Sequence, residues 1–476
     1  MLLKAVRAAV VFSLLSAVVC FAAQSSSPSK EQRLAGSYRF QRGGWTYVHL
    51  QGTPRQIGFQ HGYLLAPEIA EYFQVLKLES VHGTHRNWQF FRDAGRTILW
   101  PHIDSEYQQE LQGIAAGVAA RGVKLDLWDI LAMNGQQGLV EYYVPWLDHQ
   151  KHSANAASDP KAPGNCSAFI ATGSYTKDGK IVIAHNNWSS YAEGSRWVIV
   201  FDIVPTHGHR ILMDGAPGLI DSADDFGVND AGIMIAETTI SGFIGWDSNG
   251  IPEFVRARKA MQYSNSIDDY VAIMRKGDNG AYANDWLIGD RKTGEIAYLE
   301  LGLKHTPLWR KKDGYFISSN FARDPALIRD ETEGYDPADK ASSPNARHVR
   351  WQQLMQADKG KIDVSIAEQF LSDHEDSFLH EQKADSRSLC GHVDTAKEGV
   401  AVWGWGPYFP GGAVQGKATD SDMAAHMSMV ARAGHPCGEN FYAKPFLAAH
   451  PEYDWEASIL KNMPSGPWTT FTSGEK

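Results

Sequence analysis

Cysteine is scarce in this chain: Cys20, Cys166, Cys390 and Cys437 are the four among 476 residues. That is too few for a disulfide-dense scaffold. Long apolar runs are equally rare. The run from Val10 to Ala22 falls short of the roughly 20 residues a spanning helix needs, and no later segment reads as a span. Clustered basic residues are missing too. The formal net charge is −10, which argues against a nucleic-acid partner, because phosphate binding needs grouped Lys and Arg. There is no Gly-x-Ser-x-Gly elbow, no His-Glu-x-x-His pair and no Gly-rich phosphate loop behind a strand. His207 and His209, and separately Asp221, Asp224 and Asp225, are the obvious candidates for cation binding, but both groups read as solvated turns. Neither a metal nor another cofactor is expected.

What is present begins with a secretory pattern. Lys4 and Arg7 precede the apolar run, and Ala22 and Ala23 supply small residues for cleavage. The reading is a signal peptide over 1–23, a polar leader from Gln24 to Gln32, and a secreted or periplasmic protein (lysosomal if eukaryotic). Removal of the signal leaves three cysteines, an odd number, so one thiol stands outside any intramolecular bridge. Cys390 and Cys437 lie in similar Gly-rich settings, Leu-Cys-Gly-His and His-Pro-Cys-Gly. Paired as a disulfide, they would contribute roughly 2–4 kcal/mol and leave Cys166 outside the bridge.

The chain changes character once. Residues 24–165 read as a mostly helical segment. Thr53-Pro54 opens a helix whose Gly58 and Gly62 permit close packing, and His102 to Val118 carries apolar residues at helical spacing. His149 to Gly164 is polar, with two prolines, and describes an exposed linker. Beyond it, Ser167–Thr172 and Ile181–His185 read as strands joined around a Lys177-Asp178-Gly179-Lys180 turn. Further strands are predicted near Trp197, Ile211, Gly232, Trp286, Ile296 and Tyr315, with helices over Ile251–Gln262 and Ile267–Arg275. This order predicts an α+β protein with two packed sheets, its catalytic domain spanning 166–476.

Cys166 stands where the cleavable linker meets the first buried strand. Its thiol can attack the carbonyl of Asn165, and hydrolysis of the resulting thioester leaves Cys166 as a new N-terminus. The freed α-amine, with an ordinary pKa of about 7.7–8.0, can then serve as general base for the thiol of its own residue.

Several ordered segments resemble the phospholipase B-like family: Cys166-Ser-Ala-Phe-Ile, His185-Asn-Asn-Trp-Ser-Ser-Tyr191, Ala216-Pro-Gly-Leu-Ile, Ala223-Asp-Asp-Phe226, Gly232 to Ile240 and Tyr282-Ala-Asn-Asp-Trp286. The resemblance covers about Trp45 to Trp468 and is most specific from Cys166 to Ile240. It implies an N-terminal-nucleophile hydrolase with a four-layer αββα sandwich, cut at Asn165–Cys166 into two fragments that stay associated. It also implies His185 and Trp188 as pocket residues, Asn284 as an amide near the developing oxyanion, and a downstream arginine, for which Arg323 is the candidate. The expected substrate is an acyl lipid or acylated small molecule. The alternatives are a penicillin-acyltransferase-like amidase and a secreted binding protein that keeps the fold without turnover.

Overall fold

A computed structural model describes residues 29–151, 166–222 and 226–476. The signal peptide, most of the linker, Asn165, Asp224 and Asp225 lie outside the described residues. Helix and sheet are mixed, as an α+β reading requires. No described helix is long and apolar enough to cross a membrane.

Two large sheets carry the structure. One has nine strands, in the spatial order Tyr38–Arg42, Trp45–Gly52, Ile199–Pro205, Ile211–Gly215, Gly227–Asn229, Ile233–Thr239, Asn284–Asp290, Glu295–Leu301 and Leu308–Lys311. Its one parallel pairing joins Trp45–Gly52 to Ile199–Pro205. The segment before Cys166 is therefore built into the same sheet as the segment after it. The second sheet has six antiparallel strands: Gly314–Ser318, Cys166–Thr172, Val182–Ser190, Gly411–Asp420, Ser428–Ala433 and Thr469–Thr472.

Strand alternation explains how the sheets stack. Ala168, Ile170, Ile181 and Ile183 of the six-stranded sheet share one apolar cluster with Val200, Leu212, Met234 and Leu287 of the other. Their neighbours Phe169, Ala171, Val182 and Ala184 point the opposite way and pack with Trp351, Met355, Phe370 and Leu371, from the helices Ser343–Ala357 and Val364–Leu371. On the far side of the larger sheet, Val48, Phe201, Ile235 and Ile288 join the apolar faces of the N-terminal helices and of Glu253–Tyr263 and Ile267–Arg275.

The N-terminal segment is mostly helical, as its periodicity predicts. Thr53 caps the helix Pro54–Leu64 through a capping box with Gln56. Gly58 and Gly62 let this helix touch Ser105–Ala120 backbone to backbone. A methyl group on either glycine would collide with the carbonyl of Glu110 or Ile114. The Asp-Gly turn is present, with Gly179 at φ 79°, but a short helical turn at Gly173–Tyr175 lengthens the connection beyond a two-residue hairpin. The strand after the turn runs on to Ser190, so the whole His185-Asn-Asn-Trp-Ser-Ser segment is sheet.

Candidate active site around Cys166

Cys166 begins an inner strand of the six-stranded sheet and is buried. Its main-chain nitrogen donates to Asn320 Oδ1 at 3.1 Å. Its carbonyl accepts from Arg347 Nη1 at 2.6 Å. Its Sγ lies 3.8 Å from Asn187 Oδ1. Three side chains from three separate elements thus hold the amine, carbonyl and thiol ends of one residue.

Asn320 stands two residues past the end of the strand Gly314–Ser318, in the left-handed region at φ 68°. Asparagine tolerates that conformation better than most residues. Its Nδ2 donates to the carbonyl of Thr239 at 2.9 Å, so the amide is tied to the larger sheet and its oxygen faces Cys166. Arg347 lies on the buried side of the helix Ser343–Ala357, one turn before Trp351, whose Nε1 donates to Ser167 Oγ at 2.8 Å. Besides the Cys166 carbonyl, the guanidinium donates to Ser343 Oγ, Ser319 O and Asn320 Oδ1 at 3.0, 3.3 and 2.9 Å. It stacks on Trp188 at 4.3 Å and on Trp403 at 5.3 Å. No carboxylate pairs with it among the described residues, and burial brings its pKa down to about 9. A cation kept at that expense is an electrostatic feature of the site, since its unpaired desolvation does not help folding.

The residues expected from sequence do not all meet at Cys166. Strand register sets Asn187, not His185, directly across from Cys166; His185 faces Ala168, further along the same face. There it is fully buried, opposite Lys417 on the next strand and 6.4 Å from the ring of Phe226. The Nδ2 of Asn187 is buried and meets no hydrogen-bond partner among the described residues, the state expected of a donor awaiting a developing oxyanion. Trp188 points to the opposite face of its strand. It donates to Leu389 O at 3.2 Å and is linked to Cys166 through Arg347, which stacks on it. Asn284 opens the strand Asn284–Asp290, paired with Thr239, and its Nδ2 donates to Glu237 Oε2 at 3.1 Å.

Arg323 does not join this constellation. Its guanidinium covers the rings of Tyr298 and Phe316 at 4.8 and 5.9 Å, while its main-chain nitrogen is held by Glu300. The arginine beside Cys166 is Arg347. One sequence signal marks it: Arg347, Trp351 and Met355 recur every fourth residue on a buried helix face, where a charge is out of place. The expected Cys390–Cys437 bridge is not formed either; both are thiols. Their sulfurs instead lie beside His392 Nε2, at 3.7 and 3.6 Å, with His374 in the same group. The sequence reading anticipated no metal, yet these four side chains make a set able to hold one. Their spacing over 374–437 hid them.

A cavity of about 380 Å³ lies at the end of the strand Val182–Ser190, which carries Asn187. Ser189, two residues beyond Asn187, lines it, and so does Tyr282, whose hydroxyl donates to Glu237 at 2.5 Å. Trp405 and Phe409, from the aromatic loop at 403–410, form part of its wall with Trp246 and Trp455. Glu79, Glu141, Glu193 and Glu253 also border it. Desolvation pushes all four carboxyls up. Glu79 and Glu193 face each other, which raises Glu79 further. The wall thus sets these carboxyl groups beside aromatic side chains and suits an amphipathic guest.

Comparison with known proteins finds relatives among phospholipase B-like proteins. Residues 79–300, just under half the chain, match the family model described as Phospholipase B. Phospholipase B-like 1 of Bos taurus is 26% identical over 268 residues, covering 49% of this chain and 48% of that protein. Phospholipase B of Crotalus adamanteus is 24% identical over 276 residues, covering 49% and 48%. An uncharacterized protein of Archaeoglobus fulgidus is 24% identical over 266 residues, covering 52% and 42%. The chain spans about half the length of the curated relatives it matches. By sequence it is similar to phospholipase B-like hydrolases.

Proposed function

We propose that this chain is a secreted, phospholipase B-like hydrolase of the N-terminal-nucleophile type, with Cys166 as nucleophile and acyl esters or amides of lipids or acylated small molecules as substrates. The observation that carries the reading is the convergence on Cys166 of Asn320 at its nitrogen, Arg347 at its carbonyl and Asn187 at its sulfur. Two packed sheets with helices on their outer faces are consistent with the αββα architecture of that class. A strand from before the cut and one from after it lie side by side in one sheet, which accounts for two fragments staying together.

The chemistry runs in three steps. In maturation, the Cys166 thiol attacks the carbonyl carbon of residue 165, the acyl group moves from nitrogen to sulfur, and water cleaves the thioester. The products are a carboxylate on residue 165 and an α-amine on Cys166. In turnover, that amine, oriented by Asn320 Oδ1, takes the thiol proton as sulfur attacks the substrate carbonyl. The negative oxygen of the tetrahedral intermediate is met by the buried Asn187 Nδ2. The leaving alcohol or amine departs with the proton from the α-amine. Water, deprotonated by the same amine, then releases the acid and restores the thiol.

The test joins N-terminal sequencing of the purified protein to turnover of a chromogenic ester and amide. The expected outcome is one fragment that begins at Cys166 and activity that Cys166→Ala abolishes together with the cut. Full turnover by a verified Cys166→Ala protein would overturn the assignment.

A further inference from the structure

His374, Cys390, His392 and Cys437 play no part in the Cys166 chemistry, yet the fold gathers them so that their ligand atoms all lie within 4.8 Å of one another. They come from three segments. His374 follows the helix Val364–Leu371, Cys390 and His392 flank Gly391 ahead of the strand Gly411–Asp420, and Cys437 lies in the turn after Ser428–Ala433. We propose that these four residues bind one zinc ion in a closed Cys2His2 site that braces the wall behind Cys166.

Three observations support this. The first is spacing. A tetrahedral zinc ion, with bonds of about 2.3 Å to sulfur and about 2.0–2.1 Å to nitrogen, holds sulfur and nitrogen about 3.6 Å apart. Cys437 Sγ and Cys390 Sγ stand 3.6 and 3.7 Å from His392 Nε2. The second is the donor set. Two thiols and two imidazoles favour zinc among the common divalent ions, and His374 Nε2 is buried and meets no hydrogen-bond partner of normal geometry among the described residues. A disulfide would satisfy the two sulfurs and leave that nitrogen as it is. The third is the surroundings. The main-chain N–H of Glu439 donates to Cys437 Sγ at 3.5 Å, the kind of outer contact that stabilises a metal thiolate. The ring of His435 stacks on His392 at 4.0 Å and fixes its plane. Binding would release two thiol protons to solvent. With four protein ligands no position stays open for substrate or water, so the role is structural.

The consequence for the active site runs through two residues. Leu389, next to Cys390, accepts from Asn186 Nδ2 and Trp188 Nε1 at 3.0 and 3.2 Å. Gly391 lies so close to Trp188 that a methyl group there would collide with the indole. An ion that fixes Cys390 and His392 presses this loop on Trp188, the platform on which Arg347 stacks.

The experiment uses the chain without its signal segment 1–23, purified without chelator and equilibrated with zinc. About one zinc per chain is expected, with three thiols alkylated once the protein is denatured with chelator present. Replacement by cobalt should give the visible bands and the near-ultraviolet thiolate band of a tetrahedral site. Cys437→Ser should remove part of the thiolate band, and it and His374→Ala should each weaken zinc binding more than about tenfold. Chelation should lower the melting temperature and zinc should restore it. A chain that takes up no zinc, or one lighter by two hydrogen atoms with a single thiol to alkylate, would overturn the proposal in favour of an empty cluster or a Cys390–Cys437 disulfide. Should either variant fail to fold, zinc content and the cobalt spectrum of the unaltered chain decide. Neither measurement depends on whether Cys166 is the nucleophile.

Discussion

Replacing Arg347 with methionine separates what a buried cation does for folding from what it does for chemistry. Burial moves its pKa from 12.5 to about 9, which corresponds to about 5 kcal/mol spent on keeping the charge inside. Methionine removes that cost. It also deprives the carbonyls of Cys166 and Ser319 of their guanidinium donor, at about 1–3 kcal/mol for each buried acceptor left wanting. Asn320 Oδ1 keeps its N–H from Cys166, and the Ser343 hydroxyl can turn elsewhere. The opposing terms nearly cancel, so the stability of Arg347→Met should lie within about 2 kcal/mol of the parent. Activity has no such compensation. The carbonyl of the proposed nucleophile is no longer anchored, and a displacement of an ångström at a reacting centre costs about 100-fold. Denaturant melts at pH 7, run beside kcat and KM for a chromogenic ester, measure both quantities. The loss should fall on kcat, and Arg347→Lys, which keeps the charge without the planar fork, should recover part of it. A melting midpoint that collapses in step with activity would refute the reasoning, because Arg347 would then be an ordinary structural residue. Undiminished kcat in Arg347→Met would refute it equally.

Asn187→Ala removes the buried amide beside the thiol and should lower kcat about 100- to 1,000-fold with little change in KM; a rise confined to KM would assign Asn187 to ground-state binding instead. Glu456 is buried, and desolvation pushes its carboxyl up to about 8. Its folded pKa exceeds its ordinary value of 4.5, so the fold is favoured in acid and loses stability as pH rises from about 4.5 through 8, by about 3 kcal/mol at pH 7. Glu456→Gln should match the parent near pH 4.5 and exceed it at pH 8 in denaturant melts, and parallel profiles would contradict this. Gly58→Ala drives a methyl group into the carbonyl of Glu110 and should destabilise by about 1–3 kcal/mol, although alanine is the better helix former; a stabilised variant would show that the two helices can move apart.

The parts of the fold that follow from local pattern were legible in the sequence. Helical spacing in the N-terminal segment, the Asp-Gly turn and the alternation after Cys166 each depend on neighbours a few residues apart. The proposed nucleophile was legible at one residue, because Cys166 stands at a change of composition. Its partners were not. Asn187 was visible within its segment, but choosing it over His185 requires the strand register, and no short pattern fixes where Cys166–Thr172 lies along Val182–Ser190. Asn320 and Arg347 stand more than 150 residues from Cys166 in sequence and reach it through a tertiary crossing. Arg323 was the nearer candidate along the chain, but it lies over Tyr298 and Phe316. Cys390 and Cys437 were paired because a count of thiols carries no information on where His374 and His392 fall.

The sheet face also explains why a site this buried needs support from behind. On the inner face, Cys166 and Asn187 lie above apolar residues shared by the two sheets, and close packing holds them. On the outer face of the same strands, Asn186 and Trp188 are polar or aromatic groups that need partners of their own. Both find one in the main-chain carbonyl of Leu389, in a loop, and Asn186 finds a second in Leu371 at the end of the helix Val364–Leu371. A loop held by its own turns is less rigid than a sheet, yet Arg347 takes its position from Trp188 and Trp403. Any bond that stiffens the loop at Cys390 is therefore transmitted through one indole and one guanidinium to the carbonyl of Cys166. The order Cys390, Leu389, Trp188, Arg347, Cys166 is a chain of direct contacts. Weakening its first link should reach the last one as lower kcat well before it reaches the melting temperature of the sheets.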